Sequence, residues 1–122
     1  TLKNGAYIEP TIISDVGVNS RISTEEIFGP VVTIHPFEKE GEAIKIANGV
    51  NYGLSASVWS QDIEKAERVS AALDTGMVWI NTWLHRDLRV PFGGVKASGI
   101  GREGGRYSLE FFSETQNICI KY

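Results

Sequence analysis

Between Val31 and Asn81 the spacing of apolar residues switches back and forth between the strand and helix periods, and no other feature constrains the fold as tightly. Val31-Val32-Thr33-Ile34 is a β-branched run closed by Pro36, which predicts a strand. Over Glu40 to Asn48, Ala43, Ile44, Ala47 and the following Val50 fall at helical spacing, with Gly49 offering a left-handed stop. Leu54 to Trp59 reads as a second strand. Asp62 to Leu73 reads as a second helix, with Ile63, Ala66, Val69 and Leu73 along one face and Gly76 as its stop. Met77-Val78-Trp79-Ile80 is then a third strand. Strand, helix, strand, helix, strand with short joints predicts parallel pairing through crossovers, so the expected class is α/β with a parallel βαβαβ core.

The flanks are less regular. Ala6 to Ile13 reads as extended, with Pro10 favouring an edge or an end, and Ser23-Thr24-Glu25-Glu26 has the spacing of a capping box opening a short helical turn. Tyr107 to Phe112 suggests one more short helix. Thr115 to Tyr122 alternates, with Gln116, Ile118, Ile120 and Tyr122 on one face, and predicts a terminal strand whose edge needs a partner. The expected division is therefore a body over 1–112 and a terminal strand over 113–122 that serves oligomerisation.

Composition narrows the functional classes. Apolar residues make up 42% and charged residues 22% of 122 residues, which fits one globular body rather than a disordered or coiled-coil chain. No apolar run approaches the roughly 20 residues that span a bilayer, and no charged-then-apolar leader opens the chain, so a soluble cytoplasmic protein without a membrane role is expected. Position 1 is Thr rather than Met, and the chain reads as part of something longer. Cys119 is the only cysteine, which excludes an internal disulfide and a cysteine-based zinc site within the chain. It sits on an alternating stretch expected to pack against a neighbour, where a free cysteine acts as a small hydrophobe. His35 and His85 lie far apart and make no convincing metal pair, so no metal is expected.

The net charge of −3 argues against nucleic acid as a partner, yet the charge is unevenly spread. Residues 84–106 hold Arg86, Arg89, Lys96, Arg102 and Arg106 against only Asp87 and Glu103. The same stretch holds six of the thirteen glycines, between Phe92 and Arg106, and predicts an irregular loop that exposes its backbone. Gly99-Ile100-Gly101-Arg102-Glu103-Gly104 matches the dinucleotide pattern G-x-G-x-x-G literally. Its context does not fit: Val95-Lys96-Ala97-Ser98 is not a strand-like run, and the position twenty beyond Gly101 is Lys121 rather than an acid.

Four segments carry a more specific resemblance: Glu25-Glu26-Ile27-Phe28-Gly29-Pro30-Val31, Asn51-Tyr52-Gly53-Leu54, Gly76-Met77-Val78-Trp79-Ile80-Asn81, and Pro91-Phe92-Gly93-Gly94-Val95-Lys96-Ala97-Ser98-Gly99. In this order and spacing the chain resembles the last quarter or so of the aldehyde dehydrogenase superfamily, from about Gly5 to the terminus. The resemblance implies that Glu26 accepts hydrogen bonds from the nicotinamide ribose hydroxyls of NAD, with NADP left open, and that Phe28 packs beside the nicotinamide. Capping is the competing role for Glu26, and plain core packing is the competing role for Phe92, which matches a phenylalanine lining the aldehyde pocket. The superfamily's nucleophilic cysteine, general base and Rossmann-type domain match nothing in this chain, so no catalytic residue is expected here and the segment alone should be inactive. In the complete enzyme the resemblance implies attack of a thiolate on the aldehyde, hydride transfer to NAD(P)⁺ and hydrolysis of a thioester.

The stretch Asn81 to Arg89 stands where the superfamily varies its substrate-facing loop. Its basic character is similar to the 2-hydroxymuconate and 2-aminomuconate semialdehyde dehydrogenases, whose substrates carry a carboxylate beside the aldehyde. Arg86, and after it Arg89, are the candidates to grip that carboxylate, because a guanidinium fork makes two parallel hydrogen bonds without losing its charge. The competing role is a solvated loop charge paired with Asp87. A homo-oligomer is expected from the resemblance. The alternative from another class is a non-catalytic interaction module that docks through its terminal strand and binds acidic protein through its basic loop.

Overall fold

The computed structural model describes residues 4–122, which divide into two compact units, the first ending at Asn51 and the second running from Tyr52 to Tyr122. In the first unit, β1 (Thr11–Ile13) pairs in parallel with β2 (Val31–Thr33), joined through the short helix α1 (Arg21–Thr24), and α2 (Glu40–Asn48) follows. In the second, β3 (Tyr52–Gly53) runs into β4 (Ser55–Val58), α3 (Ile63–Ala71) leads to β5 (Met77–Ile80), and β6 (Val95–Lys96) and α4 (Gly105–Phe111) complete the order. Strands β4 and β5 are parallel in the register Ser55 to Met77 through Val58 to Ile80, while β3 and β6 are antiparallel.

The α/β class with parallel pairing is thus present: of three two-stranded sheets among the described residues, two are parallel and the third, β3 with β6, is antiparallel. The strand at Val31 takes a partner from Thr11–Ile13, and β4-α3-β5 is a parallel βαβ unit of the expected kind. The expected strand from Leu54 to Trp59 is shortened to Ser55–Val58, and the preceding Tyr52–Gly53 pairs with a different neighbour. The Gly53 amide donates to Ser98 Oγ at 2.9 Å, and a Cβ there would lie 2.4 Å from the Asp74 carbonyl.

Helix α3 starts as its sequence dictates. Asp62 is the N-cap, and its side chain accepts from the Lys65 amide at 3.0 Å, which satisfies one of the donors left open at a helix start. Ala66 on its apolar face is the only fully buried apolar residue among those described.

Several local expectations are corrected. The helix near Ser23 begins at Arg21 with Ser20 as N-cap, so Ser23-Thr24-Glu25-Glu26 is no capping box; Glu25 ends the helix and Glu26 lies beyond it. Gly49 ends α2 with φ −75° rather than in the left-handed region, because its amide closes a tight last turn on Ile46 O at 3.1 Å. Gly76 does not stop α3, which ends at Ala71. Its role is steric and concerns the chain that crosses it. Val95-Lys96, read as unlike a strand, forms β6, which is two residues long and antiparallel. Residues 115–122 are extended, enter no strand among the described residues, and are exposed throughout. Cys119 is exposed in this chain, its thiol 3.7 Å from Asn117 Oδ1. Among the described residues no helix is long and apolar enough to cross a membrane.

Candidate functional site

The glycine-rich stretch is built for close backbone approach within the second unit. Phe92 and Glu103 exchange backbone hydrogen bonds of 2.8 Å in both directions, tying the chain before Gly93 to the chain before Gly104. A Cβ on Gly104, whose φ is +104°, would lie 2.3 Å from Val90 O, and one on Gly93 would lie 2.8 Å from Gly101 O. Arg102 reinforces the same fold-over by donating to Gly94 O at 2.8 Å and Gly101 O at 2.7 Å. Of the literal G-x-G-x-x-G match, only Gly104 admits this crossing; Gly101, at φ +71°, faces the Phe111 ring, and Gly99 has open space beside it.

That crossing presents the loop from Asn81 to Pro91. The Asn81 side chain clamps Ser60, accepting from its amide at 2.8 Å and donating to its carbonyl at 2.8 Å. Ser57 Oγ donates to Thr82 O at 2.7 Å, and the Trp79 indole N–H donates to His85 O at 2.9 Å. Asn81 and Leu84 both have φ of +52°, a region that side chains occupy only when their surroundings impose it. The loop is held from strand β5 and needs no core of its own.

Arg86 and Phe92 come together here. The guanidinium carbon lies 4.1 Å from the Phe92 ring centroid, within cation–π range, and one terminal nitrogen lies 4.0 Å from Glu103, the outer limit of an ion pair. Both residues line a recess of about 330 Å³ with Met77, Trp79, His85 and Pro91. Phe92 is half-buried in this structure.

Arg89 is directed elsewhere. Its side chain forms a fork on the Asp87 carboxylate, with Nε 2.9 Å and 3.0 Å from the two oxygens and Nη2 closer still, and its backbone N–H donates to Asp87 Oδ1 at 2.9 Å. These bonds, the side-chain ones first, hold the Asp87 carboxyl below the usual carboxylate range and push Arg89 up. The remaining cations of the basic stretch are also engaged: Lys96 lies 3.7 Å from Asp74, and Arg106 lies 3.0 Å from Glu110. Arg86 has the loosest anionic partner of the set. Arg89 thus takes the competing role, a loop charge paired with Asp87, whereas Trp79 is a contributor that the motifs did not single out.

The cofactor candidates lie in the first unit. Glu26 and Phe28 line a recess of about 440 Å³ with Ile22, Ser23, Glu25 and Val32. Glu25 is committed to Arg21, with Arg21 Nε 2.8 Å and Nη2 2.9 Å from its two oxygens, which lowers the Glu25 carboxyl from its ordinary value. The Glu26 carboxylate has no such partner among the described residues, and with the capping role gone it is an exposed acceptor. Phe28 sits at φ +56° and is 92% exposed in this chain, a backbone conformation that carries strain. No group of acids, histidines and cysteines suited to a metal is present among the described residues.

Comparison with known proteins gives a consistent result. The model of the aldehyde dehydrogenase family matches residues 1–118. The chain is 50% identical over 120 residues to a 2-hydroxymuconic semialdehyde dehydrogenase of Pseudomonas putida, covering 98% of this chain and 25% of that protein. It is 52% identical over 118 residues to the 2-aminomuconic semialdehyde dehydrogenase of Mus musculus, covering 97% and 24%. Among solved structures, betaine aldehyde dehydrogenase from Staphylococcus aureus, crystallised with NAD⁺, superposes with a TM-score of 0.87 at 50% identity, over 91% of this chain and 22% of that one. HpcC from Thermus thermophilus superposes with a TM-score of 0.89 at 40% identity, over 99% and 25%. The chain thus spans about a quarter of the length of the relatives it matches.

Proposed function

Because this chain belongs to the aldehyde dehydrogenase family, we propose that it is the C-terminal part of an NAD(P)-dependent oxidoreductase that converts a carboxylate-bearing semialdehyde to the acid. The observation that carries the substrate class is Arg86, laid across the Phe92 ring beside an open recess while Arg89, Lys96 and Arg106 are engaged by nearer carboxylates. A guanidinium supported on an aromatic face keeps its in-plane donors available, and those donors match the two oxygens of a carboxylate. Phe92 then has two duties: it walls the aldehyde pocket and supports the cation. Relatives at about half identity that act on muconic semialdehydes support the same reading.

The residues of the first unit fit a nicotinamide cofactor. An exposed carboxylate without a partner can accept from two neighbouring ribose hydroxyls, and a free planar ring can limit where the nicotinamide lies, so Glu26 and Phe28 are placed in those roles. The cofactor, when bound, supplies the hydride acceptor. Bond making belongs to a thiolate and a base elsewhere in the longer enzyme, through a thiohemiacetal and a thioester, and the segment alone is inactive. Residues 113–122, exposed and alternating through Ile118, Ile120 and Tyr122, serve as a strand completed by another subunit of a homo-oligomer.

The deciding experiment replaces Arg86 with Ala in the full-length gene product and compares kcat/KM for an acidic and a neutral aldehyde. A selective loss on the acidic substrate supports the reading, and an equal loss on both removes it.

A further inference from the structure

The residues on either side of Arg86 are both tied down. Before it, the His85 carbonyl accepts from the Trp79 indole at 2.9 Å, which fixes that peptide to strand β5. After it, Asp87 accepts from the Arg89 backbone and from its guanidinium, and Val90 N–H donates to Asp87 O at 3.2 Å, closing a turn over residues 87–90. Arg86 alone in this stretch leans away, onto Phe92 and toward Glu103.

This arrangement solves a chemical problem. Asp87 is the immediate neighbour of the residue placed on the substrate carboxylate, and a carboxylate with no partner at that position would compete for the same guanidinium. Arg89 occupies it with three side-chain contacts and one backbone bond, all available at once because a fork and a carboxylate are both planar.

We propose that the Asp87–Arg89 pair is a positioning device for Arg86, in which Arg89 holds the Asp87 carboxylate away from Arg86 and does not itself contact substrate. The inference rests on the assignment of Arg86 to the substrate carboxylate and adds a specificity-determining role to two residues outside the contact. It replaces the expectation that Arg89 is a second carboxylate grip.

The test uses the full-length enzyme and a pair of aldehydes, one carrying a carboxylate and one neutral. Arg89→Ala frees Asp87, so KM for the acidic aldehyde rises about three- to tenfold while kcat and the neutral aldehyde stay within about twofold. Adding Asp87→Asn, which removes the competing charge yet keeps an oxygen for the residue 89 amide, returns KM to within about twofold of the parent value. An Arg89 that touched substrate would give a double variant at least as impaired as Arg89→Ala, and that result overturns the inference. So does an Arg89→Ala enzyme with unchanged KM. Arg86→Ala run in parallel separates the two levels. If it fails to distinguish the aldehydes, the assignment of Arg86 falls and the inference with it; if it does distinguish them and the double variant is not restored, only the inference falls.

Discussion

The carbonyl oxygen of Gly93 lies 1.7 Å from the point where a Cβ on Gly76 would stand, so the start of strand β5 and the chain leaving Phe92 are in direct backbone contact. Only a residue without a side chain permits this approach, and it seats the Phe92 segment against the strand that also carries Trp79. The position of the Phe92 segment therefore depends on Gly76 having no side chain.

Gly76→Ala should accordingly destabilise the second unit by about 1–3 kcal/mol or more, because the neighbour in the way is backbone and has little room to yield. Gly41→Ala provides the opposite control. It lies in the first turn of α2 with nothing within 4 Å of the added methyl, and should stabilise by about 0.5–1 kcal/mol. Chemical denaturation of the full-length protein measures both, and equal effects would contradict the steric account.

Removal of the Arg86 side chain should forfeit a charged hydrogen bond worth about 1.5–3 kcal/mol, or about ten- to hundredfold in kcat/KM, on a carboxylate-bearing aldehyde. A neutral aldehyde of similar length should change much less. Arg86→Lys should recover only part of the loss, since an ammonium lacks the planar fork and stacks poorly on Phe92. Steady-state kinetics on the matched pair provide the comparison.

Glu26→Gln should weaken NAD⁺ binding by about tenfold, the loss expected when a charged acceptor is made neutral, while leaving the overall fold and the reactive thiolate titration intact. With its carboxylate outside helix α1, no capping loss should accompany the change. Calorimetric titration with NAD⁺ reports the first effect and thermal unfolding the second; unaltered NAD⁺ affinity would remove Glu26 from the cofactor site.

Asp87 should titrate below the usual carboxylate midpoint of about 3.9, chiefly through the Arg89 side chain, then the Arg89 backbone N–H, with His85 adding to the same direction. A depressed folded-state pKa means that the pair's contribution to the turn is complete above the unfolded-state value and is lost as pH falls through the folded-state one. Carboxyl NMR of the full-length protein should show a low Asp87 midpoint that moves up in Arg89→Ala. A midpoint indifferent to that substitution would show the pair to be absent in solution.

Local periodicity was enough to locate α2, α3, β2 and β5, because each needs only a repeating apolar face or a β-branched run and a nearby stop. Asp62 was legible as a helix start for the same reason, since a cap acts within three residues. The roles of Glu26, Phe28, Arg86, Arg89 and Phe92 were nominated by family resemblance rather than by periodicity. Partnership was not legible. Which strand pairs with Val31, whether Gly76 ends a helix or admits a crossing chain, and which of two arginines is already occupied are decided by residues distant in sequence or by the turn a loop adopts. Sequence alone determined the α/β elements and the family, because periodicity and motif spacing are local and additive. Tertiary structure alone separated Arg86 from Arg89 and released Glu26 from capping, because hydrogen bonds and ion pairs are short-ranged and go to whichever partner the folded backbone brings within about 3 Å.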